Sequence, residues 1–141
     1  MHPEALEFLA AQRICVFAIE MPDGAPHAAT LHFAIVGKEP IFVFKTDMRY
    51  RKTEALCARE SSRASLAIGF EEGPNSKTLQ VDGTARVINA DDELLKGYYE
   101  KFPEKVKAEP DPNAIFFKFT PTWWRFTDWS KPRGKTILTS I

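Results

Sequence analysis

Apolar and polar residues alternate along much of this chain, and three stretches instead carry apolar residues at helical spacing. HPEALEFLAAQ reads as an N-terminal helix within residues 1–13, because Pro3 suits a first helical position and Glu4 suits the positive end. RICVFAIEM is rich in branched and aromatic residues and predicts a strand. PDGAP is turn chemistry, and HAATLHFAIV follows as a second strand with Ala29, Leu31, Phe33 and Ile35 on one face. GKEP then leads into IFVFKT, and so short a turn predicts an antiparallel hairpin.

FVFKTDMRYRKTEAL runs from strand into helix. Thr46 or Asp47 is placed to cap that helix, and Met48, Lys52, Ala55, Leu56 and Arg59 fall at helical spacing. RASLAIGF is a fourth strand, EEGPNS a loop and KTLQVDGTARVIN a fifth strand. In that fifth strand Leu79, Val81, Ala85 and Val87 face inward, Thr78, Gln80 and Asp82 face outward, and Gly83 predicts a bulge. ADDELLKGYYEKF is an amphipathic helix and PEKVKAEPDPN a loop. AIFFKFT is a sixth strand, TWWRFTDW a seventh or its extension, and residues 130–141 a partly mobile tail. With few helices between the strands, the pattern predicts a mainly β, antiparallel barrel or sandwich in a single domain over 1–141.

Composition narrows the functional classes. Lys plus Arg and Asp plus Glu are 19 each, so the formal charge is zero and no general attraction to nucleic acid or anionic membrane is implied. Any anion site must be local. Cys15 and Cys57 make neither a disulfide framework nor a zinc site, and both read as core or half-buried thiols. His27 and His32 sit five apart on one strand and point to opposite faces, so no metal site is expected. The N-terminus has acids and no basic n-region, and no apolar run approaches the ~20 residues of a membrane span, so a cytoplasmic location is expected.

Two features carry candidate chemistry. Lys45, Arg49, Arg51 and Lys52 gather at the start of the second helix, where cations oppose the helix dipole. They are either a solvated face paired with Glu54 or other acids, or a phosphate site with Thr46 adding a hydroxyl. The tryptophans Trp123, Trp124 and Trp129 are the second feature; an outward one marks an interface, a flat ligand or simple packing. Phe33, Phe42, Phe44, Phe70, Phe116, Phe117 and Phe119 read mostly as core.

Lys45-Thr46, Tyr50-Arg51-Lys52 and Asp82-Gly83-Thr84-Ala85, in this order and strand context, resemble the FMN-binding split-barrel proteins related to pyridoxamine 5′-phosphate oxidase. The resemblance runs from about Ile14 to Trp129. It implies a Greek-key-like, six-stranded antiparallel split β-barrel with short flanking helices, forming a homodimer with FMN between subunits. It assigns the FMN phosphate to Arg51 and Lys52, with Thr46 and Lys45 beside it. It lays the strand Ala29, Thr30, Leu31 and His32 along the flavin ring, and takes Thr78 and Gln80 from the partner subunit. Trp129 completes the candidate cofactor set. His32 is the one plausible proton donor near the ring. Tyr50 stands where the family often has Ser, Lys45 replaces an aromatic residue, and Thr78 stands where the oxidases place Gln. The substrate-holding Arg and His of the oxidases' C-terminal segment have no counterpart in SKPRGKTILTSI. The implied function is an FMN-dependent oxidoreductase of an unidentified small molecule. A non-catalytic flavin, haem or deazaflavin binder and a cofactor-free dimeric barrel remain open beside it.

Overall fold

The computed structural model describes residues 1–70, 76–132 and 134–140. The loop expected at Glu71–Asn75 lies outside them. Three helices, α1 (Pro3–Ala11), α2 (Lys52–Ala58) and α3 (Leu94–Lys101), accompany eight strands among the described residues. The strands are β1 (Ile14–Glu20), β2 (Pro26–His32), β3 (Ala34–Val36), β4 (Ile41–Asp47), β5 (Ser62–Ile68), β6 (Lys77–Ile88), β7 (Ala114–Asp128) and β8 (Thr136–Thr139). All pairings are antiparallel, in the order β2-β1-β5-β6-β7-β4-β3, with β8 added to β7.

Connectivity decides the shape. β2 and β3 lie at opposite ends of the strand order, yet only Phe33 separates them in sequence. A flat sheet would hold them about 29 Å apart at ~4.8 Å per strand spacing. Two residues of chain reach only ~7 Å. The sheet must therefore curl until its ends meet, and it does so as the split barrel expected from the sequence. β2 packs beside β4 across the resulting seam. Phe33 anchors the corner: it is fully buried, its N–H donates to the Arg13 carbonyl at 3.1 Å, and its ring lies 5.6 Å from that of Phe42.

The barrel interior is apolar and largely aromatic. Phe17, Phe42, Phe44, Phe117, Phe119 and Phe126 fill it, with Phe44 and Phe117 stacked at 4.6 Å. A second cluster, Ala34, Val43, Leu95, Tyr98 and Phe102, forms where α3 covers β3 and β4. No helix among the described residues is long and apolar enough to cross a membrane.

Several expectations change. HAATLHFAIV is two strands, because the corner at Phe33 sends its halves to different partners, β1 and β4. TWWRFTDW is the extension of one 15-residue strand. The tail is not free: Thr136–Thr139 pairs with β7 as β8, satisfying a sheet edge that sequence periodicity could not reveal. Neither Thr46 nor Asp47 caps α2; the helix starts later, behind an Arg51 N-cap with no side-chain bond. Met48 thus lies outside the helix and is exposed. Phe70 at the end of β5 and Cys57 are also exposed. Val87 lies beyond the bulge and is 40% exposed rather than inward.

The bulge itself falls at Gly83. Asp82 faces Trp123 while Gly83 faces Pro121, leaving Thr122 as the extra residue. A Cβ on Gly83 would meet the Thr120 carbonyl oxygen at 2.2 Å and the Phe119 ring at 2.7 Å. Gly83→Ala is expected to lower stability by about 1–3 kcal/mol through overpacking. Gly24 has φ 84 but nothing within 4 Å, so Gly24→Ala should cost less, about 1 kcal/mol. Urea unfolding of both variants checks the order; equal losses would contradict the close approach at Gly83.

Candidate functional site

The seam between β2 and β4 borders part of the predicted set: β4 carries Thr46 near its end, β2 carries Ala29 to His32, and α2 with Lys52 packs against β2. β4 carries Thr46 on the face of Phe42 and Phe44, and Thr46 is 8% exposed. Its Oγ1 is buried and has no hydrogen-bond partner among the described residues. Lys45 points the other way, its Nζ 5.8 Å from the Tyr99 ring and 5.9 Å from that of Phe116, toward α3.

After β4 the chain makes a tightly bonded turn. Asp47 accepts from the backbone N–H and the side chain of Arg49, the latter at 2.9 and 2.6 Å. Hydrogen bonds from the Arg49 side chain, then from its backbone, hold the Asp47 carboxyl down at about 2. Arg49 is thereby neutralised. Thr53 Oγ1 bonds the Met48 carbonyl at 2.8 Å and the Tyr50 carbonyl at 2.5 Å, fixing the turn to α2. Met48 N–H donates to the Asn113 carbonyl at 2.8 Å, tying it to the start of β7 as well.

Of the four cations, three pair with no carboxylate among the described residues: Lys45, which faces the aromatic rings, Arg51 and Lys52. Arg51 is exposed and pairs with no carboxylate among the described residues. Lys52 is 4% exposed and has neither an ion pair nor a hydrogen-bond acceptor among the described residues. Its ammonium lies over the Tyr50 ring, 4.6 Å from the centroid. Burial pulls the Lys52 pKa below the ordinary lysine value, with the Asp47 charge opposing. Glu54 forms no ion pair among the described residues, so pairing with that acid does not account for the cluster there. α2 is seven residues long, and the case for an anion rests on these side chains rather than on a helix dipole.

β2 supplies the opposite wall. It is an edge strand, paired on one side by β1. Leu31 and Ala29 lie opposite the buried Cys15 and Phe17 and face the interior, while Thr30 and His32 face out. α2 packs against β1, β2 and β6, bringing Arg51 and Lys52 onto the element that borders this strand. His32 meets the Phe102 ring edge at 5.4 Å. Burial, then the charges of Lys105 and Arg13, push its pKa below the ordinary value. The shift favours the neutral imidazole over the proton-donating imidazolium.

Thr78 and Gln80 are not brought to this wall within one protomer. Thr30, Val16, Ala67, Gln80 and Arg125 form one row across the outer sheet face. Gln80 is three strand spacings from Thr30, about 14 Å. Trp129 lies past the far end of β7 from Ile115, which pairs with Thr46; it is 47% exposed.

Sequence reading missed three contributors. Thr53 locks the turn, and its place three residues after Tyr50 is a recognisable hydroxyl-turn spacing. Tyr50 covers Lys52, a contact that spacing alone does not reveal. Lys101 and Lys105, next to Phe102 in sequence, and Arg13, far from it, surround the Phe102 ring near His32.

Comparison with known proteins follows this geometry. The family described as pyridoxamine 5′-phosphate oxidase matches residues 1–128. A search of curated proteins found no match. Among solved structures, a pyridoxamine 5′-phosphate oxidase-related, FMN-binding protein from Nostoc punctiforme is 16% identical, with TM-score 0.70 over 99% of this chain and 90% of that one. A heme storage protein from Vibrio cholerae is 18% identical, with TM-score 0.66 over 85% and 89%. A protein from Clostridium acetobutylicum related to general stress protein 26 is 18% identical, with TM-score 0.65 over 96% and 91%. At these identities the likeness is one of fold.

An unpaired ammonium held in the fold costs stability that a ligand-free protein would recover by losing it. Lys52→Met is therefore expected to stabilise the ligand-free chain by roughly 1 kcal/mol near pH 7. The folded pKa of Lys52 is depressed, so the cost is fully present below it and fades as pH rises through the ordinary lysine range, where the unfolded chain also loses the proton. Urea midpoints of both proteins from pH 7 to the alkaline limit check this. Destabilisation by Lys52→Met at pH 7, or a gain independent of pH, would contradict it.

Proposed function

We propose, from the premise that this chain belongs to the pyridoxamine 5′-phosphate oxidase family, that it binds FMN at the seam between β2 and β4. One observation carries this reading: among the described residues, a 4%-exposed lysine without an ion pair lies six positions after a buried threonine hydroxyl without a hydrogen-bond partner. A phosphate ester supplies what both lack, a double negative charge and several acceptor oxygens. Lys52 and Arg51 take the charge, and Thr46 donates its hydroxyl. The free edge of β2 offers backbone N–H and C=O groups of Ala29 to His32 to orient a flat, polar-edged ring. When bound, FMN supplies hydride-transfer chemistry. In the catalytic form of this reading the protein is an oxidoreductase of a small molecule. The lowered pKa of His32 disfavours it as a proton donor to the ring.

A second copy completes the site. The outer sheet face around Gln80 is built from small residues, Ala18, Ala28, Ser65 and Ala67 among them, which suits close packing of sheet on sheet. A partner seated there would deliver its own Thr78 and Gln80 to the exposed edge of β2. Light scattering of the purified protein at micromolar concentration should give a dimer; a monomer that still binds FMN would remove Thr78 and Gln80 from the site.

The cofactor is tested by titration with FMN, followed by quenching of flavin fluorescence, and in parallel with hemin, followed by its absorption. FMN should bind. Arg51→Ala combined with Lys52→Ala should weaken it by about ten- to hundredfold, the worth of one or two charge-assisted hydrogen bonds. Tight binding of hemin without FMN would favour a haem protein like the storage protein of the same fold. Binding of neither would favour the cofactor-free barrel.

A further inference from the structure

The Lys52 ammonium lies against one aromatic ring, that of Tyr50, which is well placed to leave. The ring centroid is 4.6 Å from the ammonium, yet Tyr50 is 58% exposed. The Tyr50 main chain is pinned: its N–H donates to the Asp47 carbonyl at 3.1 Å, and its carbonyl accepts from Thr53 N–H at 3.0 Å and Thr53 Oγ1 at 2.5 Å. The ring can therefore swing about its side-chain bonds while the turn stays in place. No side chain among the described residues bonds its hydroxyl. What holds the ring over Lys52 is attraction between the cation and the aromatic face.

We infer that Tyr50 is a displaceable aromatic cover over Lys52, competing with the incoming anion for the ammonium and thereby setting the affinity of the site for phosphate. This rests on the reading that Lys52 receives a phosphate group. The ring shields a desolvated cation that has no carboxylate, and it is weaker than a phosphate in that role. Its neutrality matters, because a carboxylate at the same place would neutralise Lys52 permanently. Arg51 is exposed and uncovered, so it can meet an anion before the ring moves. The cover thus acts at the second step of binding, when the phosphate reaches Lys52.

The test is isothermal titration of FMN, and separately of inorganic phosphate, into the wild type, Tyr50→Phe, Tyr50→Ala, Lys52→Met and the Tyr50→Ala, Lys52→Met double variant. Tyr50→Ala should tighten both probes by about two- to thirtyfold, the range of a cation–aromatic contact expressed as affinity. Tyr50→Phe should leave both unchanged, because the ring and not the hydroxyl covers the cation. The tightening should vanish in the Lys52→Met background. Weaker binding by Tyr50→Ala would overturn the inference and make the ring a platform for the ligand. Weaker binding by Tyr50→Phe would overturn it in favour of a hydroxyl contact. If Lys52→Met weakens FMN while Tyr50→Ala changes nothing, the phosphate site stands and the cover does not. If no protein in the set binds either probe, both fall together.

Discussion

The whole architecture depends on one covalent constraint: a single residue, Phe33, joins the two strands at opposite ends of the sheet. The chain cannot satisfy that link without curling the sheet, and curling brings β2 beside β4 without hydrogen-bonding them. The seam is therefore a consequence of connectivity rather than a surface accident. It leaves one edge of β2 open and places the end of β4 next to it. The aromatic interior is what makes the curl favourable. Facing phenylalanines from β1, β4 and β7 meet inside, and each removes a large apolar surface from water.

Against that background the handling of charge is informative. Several enclosed carboxylates are met. Asp128, 1% exposed, accepts from Ser130 at 2.8 and 2.5 Å and has Lys77 and Lys131 within 3.9 Å. Glu20 is bonded by Arg63 and paired with Arg59. Asp47 and Arg49 satisfy each other. The enclosed lysines are treated differently: Lys45, Lys52, Lys101 and Lys105 face aromatic rings and pair with no carboxylate among the described residues. Lys52 is the least exposed of them and lies on the helix that packs against the seam, which is why it carries the proposal of an external anion. The same residue makes the site costly in the absence of ligand, which is the usual relation between stability and function.

Much of this was legible in the sequence where local chemistry dominates. The alternation of β1, β4, β5 and β6, the bulge at Gly83, and the amphipathic α3 follow from side-chain period and from what glycine permits. The family resemblance was carried by Thr46, Arg51, Lys52 and the Asp82-Gly83 step, each a short-range motif. What stayed hidden is long-range. No periodicity distinguishes a corner at Phe33 from a continuous strand, because both halves are apolar on one face. The pairing of Thr136–Thr139 with β7 is closer in sequence, eight to fourteen residues away, but depends on an open strand edge that side-chain period does not report. The sequence placed Lys45 and Lys52 side by side in a basic cluster. Strand alternation and the later helix start send Lys45 toward Tyr99 and bury Lys52 under Tyr50.

The central claim is that the seam selects its ligand by a phosphate held at a buried, otherwise unpaired lysine. Titration calorimetry of the wild-type protein with FMN and with riboflavin, which share the ring and differ in the phosphate, tests this most directly. The account predicts that FMN binds at least about tenfold more tightly, as charge-assisted bonds to Lys52 and Arg51 require. It also predicts that the difference narrows as salt rises, since the exposed Arg51 is screened while the enclosed Lys52 is less so. Equal affinity for the two, or binding of riboflavin alone, would contradict it.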